Sequence, residues 1–196
     1  MIDATGQEME RPVPLRAVVL VEGLSDRVAL EAAASRHGRS LSAEGVSVVD
    51  MGGATNVGRF LERFGPPGLD VSLAGLYDSG EEPGFRRALE AVGLGSDLSR
   101  ADMERLGFFA CVEDLEDELI RAAGADAVLD VVRTRGELGP FRTLSKQPGW
   151  RERPVEQRLK RFLGNSNRKI DYAPPIIDLL APSAVPRPLD GVLSHI

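Results

Sequence analysis

The side chains with the most chemistry to offer sit where apolar runs stop. Val18-Val-Leu-Val-Glu22-Gly-Leu-Ser-Asp26 is a β-branched run that breaks into two acids around a glycine. A later apolar run, Val71 to Tyr77, ends in Asp78-Ser-Gly-Glu-Glu82, and another, Leu106 to Val112, ends in Glu113-Asp114-Leu-Glu116-Asp117-Glu118. Carboxylates gathered in one place repel and raise one another's pKa unless a cation neutralises them. An oxygen-only donor set suits Mg²⁺ or Mn²⁺, which retains waters and leaves room for a substrate phosphate. Each acid also has a plainer use. Asp26, Asp78 and Asp114 can cap helices, and Glu81 and Glu82 can complement a helix dipole.

Composition points the same way. With His37 and His195 as the only histidines and Cys111 as the only cysteine, histidine-rich metal sites, a zinc knot and an internal disulfide are all excluded. Chemistry is left to carboxylates, and a lone thiol suits a reducing cytoplasm. The start of the chain lacks the basic and apolar stretches of a signal peptide, and no run approaches the ~20 apolar residues of a membrane span. The net charge of −6 is unevenly spread: Val131 to Asp171 holds eleven Lys and Arg against four acids, about +7, leaving about −13 elsewhere. A locally positive surface can bind phosphates on an acidic protein. A solvated, arginine-rich pair of helices explains the same charges.

These acids need a scaffold. Strands are expected at Leu15–Val21, Val46–Val49, Val71–Tyr77 and Leu106–Val112. Helices are expected from Ser25-Asp26 to about His37, from Thr55 or Asn56 to Phe64, from Pro83 to Val92, and from the acids after Val112 to Ala123. Strands alternating with helices specify a parallel sheet covered on both faces, whose carboxyl ends share one edge. Glu22, Asp26, Asp78 and the group around Glu116 therefore converge. Gly52-Gly53-Ala-Thr-Asn56 opens a helix at that edge and can present N–H groups to a phosphate. Beyond residue 124, helices are expected at 125–135, 154–163 and 169–180, with 139–153 as a linker and an extended, proline-rich tail from Pro182.

An apolar strand leading into Glu-Gly-x-Ser-Asp, a middle glycine pair, a third strand ending in an Asp-x-Asp-like turn and a later Asp-Leu-Glu together resemble a TOPRIM domain. The resemblance covers about Ala17 to Leu119 and is to the overcoming-lysogenization-defect (OLD) nucleases in particular. It implies a Rossmann-like α/β fold with about four mainly parallel strands. The division expected is a flexible arm over 1–14, the TOPRIM domain over 15–124, a helical basic extension packed on it over 125–181, and the tail over 182–196. No Gly-x-x-x-x-Gly-Lys-Ser/Thr motif is present, so the ATPase half of full OLD proteins is expected to be missing and to act, if at all, in trans.

The resemblance also implies roles. Glu22 is a general acid or base or a metal ligand, Asp26 and Asp78 hold Mg²⁺ or Mn²⁺, and Glu116 is a further ligand. Lys169 stabilises charge on a phosphoryl oxygen. The second aspartate of Asp-x-Asp is replaced by Gly80, and Glu81 or Glu82 is the candidate to compensate. The basic stretch offers Arg142, Lys146, Arg151, Arg153, Arg158, Lys160, Arg161 and Arg168 for the nucleic-acid backbone, and Trp150 for stacking. The expected function is metal-dependent hydrolysis of nucleic-acid phosphodiesters, DNA foremost, as an endonuclease. Two rivals stay open: a degenerate TOPRIM that binds nucleic acid or protein without turnover, and a receiver-like signalling domain phosphorylated on Asp78.

Overall fold

Ala17–Val21 (β1) is buried at every position because it lies in the middle of a sheet covered on both faces. The computed structural model describes residues 13–196, so the arm expected over 1–14 lies almost entirely outside the described residues. From β1 the chain runs through α1 (Leu24–Arg36), β2 (Val46–Asp50), a 3₁₀ turn (Ala54–Asn56), α2 (Val57–Phe64), β3 (Ser72–Asp78), a second 3₁₀ turn (Ser79–Glu81), α3 (Glu82–Ala91), α4 (Arg100–Arg105), β4 (Phe108–Cys111) and α5 (Leu115–Ala123). It continues through α6 (Ala125–Thr134), α7 (Leu138–Ser145), α8 (Val155–Leu163), α9 (Ser166–Leu179), a 3₁₀ turn (Pro182–Ala184) and α10 (Arg187–His195).

The sheet order is β2-β1-β3-β4 and every pair is parallel, with Val19 opposite both Val48 and Ala74. Alternate residues of β1 feed two cores. Val19 and Val21 join Ala29, Leu30 and Ala33 of α1 and the helices of the C-terminal half. Val18 and Leu20 join Leu61 of α2, Phe85 and Leu89 of α3 and Met103 of α4. Chain direction reverses across β1: α1 leads outward to β2, and α2 returns past β1 to β3. The β1/β3 boundary is therefore a topological switch point, where open α/β sheets form their ligand crevice.

Gly75 of β3 shows how tightly the sheet meets β4, because a Cβ there would lie 2.6 Å from the Phe108 ring. Gly38, at φ +71, ends α1: its N–H donates to Ser35 O, and the N–H of Arg39 donates to Ala34 O at 3.0 Å.

The C-terminal helices are not a loose attachment. α9 packs along α1 and α5, burying Tyr172, Ala173, Ile176 and Ile177 in the core of the α1 face. Three elements depart from expectation. α4 arises between α3 and β4, where Ser99 and Asp102 exchange caps: Asp102 N–H donates to Ser99 Oγ at 3.2 Å and Ser99 N–H donates to Asp102 Oδ2 at 2.8 Å. α7 occupies much of the expected 139–153 linker, burying Phe141. The tail is helical instead of extended, because Pro188 falls in the first turn of α10, where a missing N–H is harmless, and Leu189, Val192 and Leu193 then share one buried face. Arg36, at the end of α1, and Arg39, just beyond it, hold that tail by donating to Leu180 O at 3.0 Å and Ile196 O at 3.1 Å.

Candidate functional site

Glu22 is the first residue past β1 and Asp78 the last of β3, so the two meet at the switch point. The main-chain N–H of Asp78 donates to Glu22 Oε1 at 3.1 Å. Gly53, after β2, donates its N–H to Glu22 O at 2.8 Å, which ties the glycine turn to the same edge. Asp26, in the first turn of α1, accepts from Gly23 N–H at 2.9 Å. From the β4 side, Asp114 caps α5 by accepting from Asp117 N–H at 2.9 Å, and Glu116 follows, 5% exposed. Glu22, Asp26, Gly53, Asp78, Asp114, Glu116 and Lys169 line one pocket of about 200 Å³.

Two lysines reach this edge from the C-terminal helices. Lys169 of α9 lies 3.0 Å from Glu116, and Lys160 of α8 lies 3.0 Å from Asp114 and also contacts Glu113. Burial works to lower the pKa of Lys169, but Glu116 outweighs it, helped by Asp114 and Asp26, and the ammonium is held charged.

Electrostatically the pocket is short of cations. Asp78 is pushed up to about 7, first by burial and then by Glu22, Asp26, Asp114 and Glu116. Asp26 is raised to about 6, again by burial first, against the lowering effect of the Gly23 N–H. Glu22 is raised by burial and by Glu81, opposed by the Asp78 N–H and Lys169. A set of partly buried carboxylates that resist ionisation, with oxygen as the only donor type, fits a hard divalent cation. Among the described residues, no three His, Cys, Asp or Glu side chains already stand in positions that would hold one.

Other expected residues lie elsewhere. Glu82 is engaged by Arg86 at 2.6 Å and Arg100 at 2.5 Å, and does not line the pocket. As the first residue of α3 it is held by arginines of that face, so the acid expected to stand in for the aspartate missing at Gly80 lies outside the pocket. Glu81, on the preceding turn, is the acid whose charge reaches Glu22. Gly52 donates its N–H to Asp50 Oδ1 at 2.7 Å, leaving Gly53 as the glycine of the pocket. Arg142, Lys146, Arg151, Arg158, Arg161 and Arg168 stand outside it, with Arg161 and Arg168 lining a separate groove. Trp150 is half-buried.

In the sequence Asp114 reads only as a cap and Lys160 only as a phosphate contact. The signal for both was the acidic run after β4 facing a basic helix. Glu118, at the end of the same acidic run, is buried at 6% exposure, accepts from Val112 N–H at 2.8 Å and pairs with Arg121 at 2.7 Å. Ser79 donates from its hydroxyl to Val112 O, so both polar groups of Val112 are fixed by side chains. That clamp holds the turn that carries Asp114 and Glu116. Cys111, buried behind it, has its thiol pushed well above the ordinary range by burial and by Asp78.

The comparisons agree with this architecture. The family model for the overcoming lysogenization defect protein-like TOPRIM domain matches residues 15–79. The C-terminal region of the Xanthomonas campestris pv. campestris OLD protein, in a structure phased with platinum, superposes with a TM-score of 0.69 at 25% identity, covering 92% of this chain and 91% of that one. In its iodine-phased structure the same region gives 0.66 at 26% identity over 92% and 93% of the two chains. The C-terminal region of the Burkholderia pseudomallei OLD protein gives 0.69 at 19% identity over 92% and 96%, a likeness of fold. No curated protein matches the chain. Among the described residues, no helix is long and apolar enough to cross a membrane. Over residues 15–79 the chain is therefore similar to the OLD-like TOPRIM domain, and as a whole it shares the α/β fold of the OLD C-terminal region, with the glutamate of its first strand end and the aspartate of its third in hydrogen-bonded contact.

Proposed function

We propose that the carboxylate pocket hydrolyses phosphodiester bonds of nucleic acid, DNA foremost, with Mg²⁺ or Mn²⁺ held by Glu22, Asp26 and Asp78 and with Glu116 in reserve. The observation that carries this reading is the meeting of Glu22 and Asp78 at the switch point, where burial and the neighbouring acids push Asp78 up to about 7. TOPRIM domains bind divalent ions, in keeping with that donor set. When bound, such an ion supplies charge neutralisation and Lewis-acid polarisation of a phosphoryl oxygen.

The chain's own groups have separable tasks. Glu22 is oriented by the Asp78 N–H through one oxygen, which leaves the other to take a proton from an attacking water. Water adds to phosphorus as its proton passes to Glu22, the bond to the leaving sugar oxygen breaks, that oxygen takes a proton from solvent, and Glu22 returns its own to solvent. Lys169, held charged beside Glu116, is placed to donate to the phosphate as negative charge builds. A lone buried thiol and the absence of histidine ligands suit a cytoplasmic hydrolase that runs on carboxylates.

The test is incubation of the purified protein with Mg²⁺ or Mn²⁺ on supercoiled, linear and single-stranded substrates, beside Glu22→Gln. Cleavage by the wild type and its loss in the variant are expected. Intact substrates throughout would remove the hydrolase and leave the second reading, a binding module, which Gly80 and the engagement of Glu82 by arginines favour.

A further inference from the structure

We infer that the groove between α7 and the α8–α9 turn binds an unpaired stretch of nucleic-acid strand, at a site separate from the carboxylate pocket. The choice of ligand rests on the nucleic-acid reading of that pocket. The groove measures about 840 Å³, against about 200 Å³ for the pocket, and Pro140, Thr143, Gln147, Arg161, Phe162 and Arg168 are among its walls.

Charge selects an anion. Residues 138–169 hold nine Lys and Arg against two acids. Lys160, Arg168 and Lys169 are paired with carboxylates, and Arg151 with its neighbour Glu152. No carboxylate among the described residues pairs with Arg142, Lys146, Arg153 or Arg161, and all four are exposed. This contrasts with the arginines of α1, α4, α5 and α6, most of which close ion pairs within the fold. Arg142 and Lys146, one helical turn apart, flank the α7 wall, and Arg161 stands on the α8 wall. Arg161 and Arg168 are the cations of the lining itself, and Arg142 and Lys146, on the neighbouring side of α7 and at its end, extend the positive surface over which a phosphate backbone can run.

The groove also offers a surface for a base. The guanidinium of Arg168 lies 4.1 Å from the centre of the Phe162 ring, while its Nε donates to Glu137 at 2.7 Å. A guanidinium held by a ring beneath and a carboxylate at its side is a fixed, flat, cationic plane, and unstacked bases pack on such planes. Duplex bases are already stacked on one another and cannot use it. Lys169, one residue further along α9, reaches Glu116, so a strand seated on Arg168 lies beside the carboxylate pocket.

The experiment measures fluorescence anisotropy of labelled 20-nucleotide DNA and RNA, single-stranded and duplex, in EDTA so that cleavage cannot contribute. Single strands should bind roughly tenfold more tightly than duplex, and the tighter of the two sugars identifies the natural strand. The combined variant Arg142→Ala/Lys146→Ala/Arg161→Ala should lose about tenfold or more. It should also flatten the slope of log affinity against log salt by about 2, since each single-strand phosphate contact contributes about 0.7. Arg168→Lys keeps the charge and loses the plane, so it should erase the preference for single strands while circular dichroism and melting stay unchanged. Arg59→Ala/Arg63→Ala, which removes exposed cations of α2, should leave binding as it was. The inference is overturned if the combined variant binds like wild type, if the α2 variant loses as much, if duplex binds equally well, or if nothing binds in EDTA. Glu22-dependent cleavage alongside unaltered binding by the combined variant would remove the groove and spare the hydrolase. Groove-dependent binding without cleavage under either metal would do the reverse.

Discussion

The backbone N–H of Asp78 donates to the carboxylate of Glu22 across 3.1 Å, joining two strand ends that lie 56 positions apart in the chain. The bond orients Glu22 by means of the very residue that would share its cation. Asp78→Asn keeps the N–H and removes the charge, while Glu22→Gln keeps an acceptor and removes the base. Each should lower hydrolysis by roughly 10²–10⁴-fold with little change in fold, measured as plasmid nicking rates beside circular dichroism. Calorimetric titration of Mn²⁺ should show carboxylate-dependent binding in the wild type and none in Asp78→Ala. Equal heats from both proteins would place the ion elsewhere.

Stability without metal should depend on pH in a direction opposite to that of an ordinary salt-bridged carboxylate. Asp78 and Asp26 carry raised folded-state values of about 7 and about 6, so the fold favours their neutral forms. Their contribution is intact below the unfolded value near 4 and is lost as pH rises through 6 to 7. Carboxylates held low, such as Asp102 and Glu104, titrate below this window, and Lys160 and Lys169 above it. In EDTA the melting temperature should therefore fall by a few degrees between pH 5 and pH 8. Added Mg²⁺ should restore it at pH 8 and change little at pH 5. A flat or rising profile in EDTA would contradict the crowding of acids described here.

Gly75→Ala tests how closely β3 and β4 approach. The added methyl would meet the Phe108 ring at 2.6 Å, inside van der Waals contact, in a core with no room to yield. A loss of about 1–3 kcal/mol is expected from urea unfolding. Gly84→Ala, where a Cβ meets nothing, is the control and should cost nothing or stabilise α3.

Glu118→Ala removes the acceptor of Val112 N–H and leaves that group without its partner. A cost of about 1–3 kcal/mol in stability is expected. Mn²⁺ affinity should weaken too, because the turn bearing Asp114 and Glu116 loses one of its two anchors. Ser79→Ala, which removes the other anchor, should weaken Mn²⁺ binding with a smaller loss of stability. If both variants unfold earlier yet bind Mn²⁺ as the wild type does, the clamp serves folding alone.

The legible part of this protein was the part governed by alternation and strand ends. Val18 to Val21 could only be a central strand, and acids following three such runs had to meet once the sheet was parallel. The placement of Glu82 is not legible in the sequence, because spacing along a chain does not reveal which way the first turn of a helix faces, and Arg86 and Arg100 hold it. α4 escaped notice because a six-residue helix shows too little periodicity, its Ser99–Asp102 cap being the only local mark. Pro186 and Pro188 suggested an extended tail, although a proline in the first turn of a helix is consistent with α10. The role of Lys160 depended on α8 docking beside the β4–α5 turn, a long-range contact that no local pattern carries.

The seam between α1 and α9 has a practical consequence. Ala29 and Ala33 of α1 are wholly shielded, and their small side chains let a second helix settle against them. A fragment ending after Ala123 would bare that flank, together with Leu115 and Leu119, to water, and would be expected to precipitate. The smallest portion of this polypeptide worth expressing alone thus extends through α10, and swapping helical regions between relatives would require exchanging α1 as well.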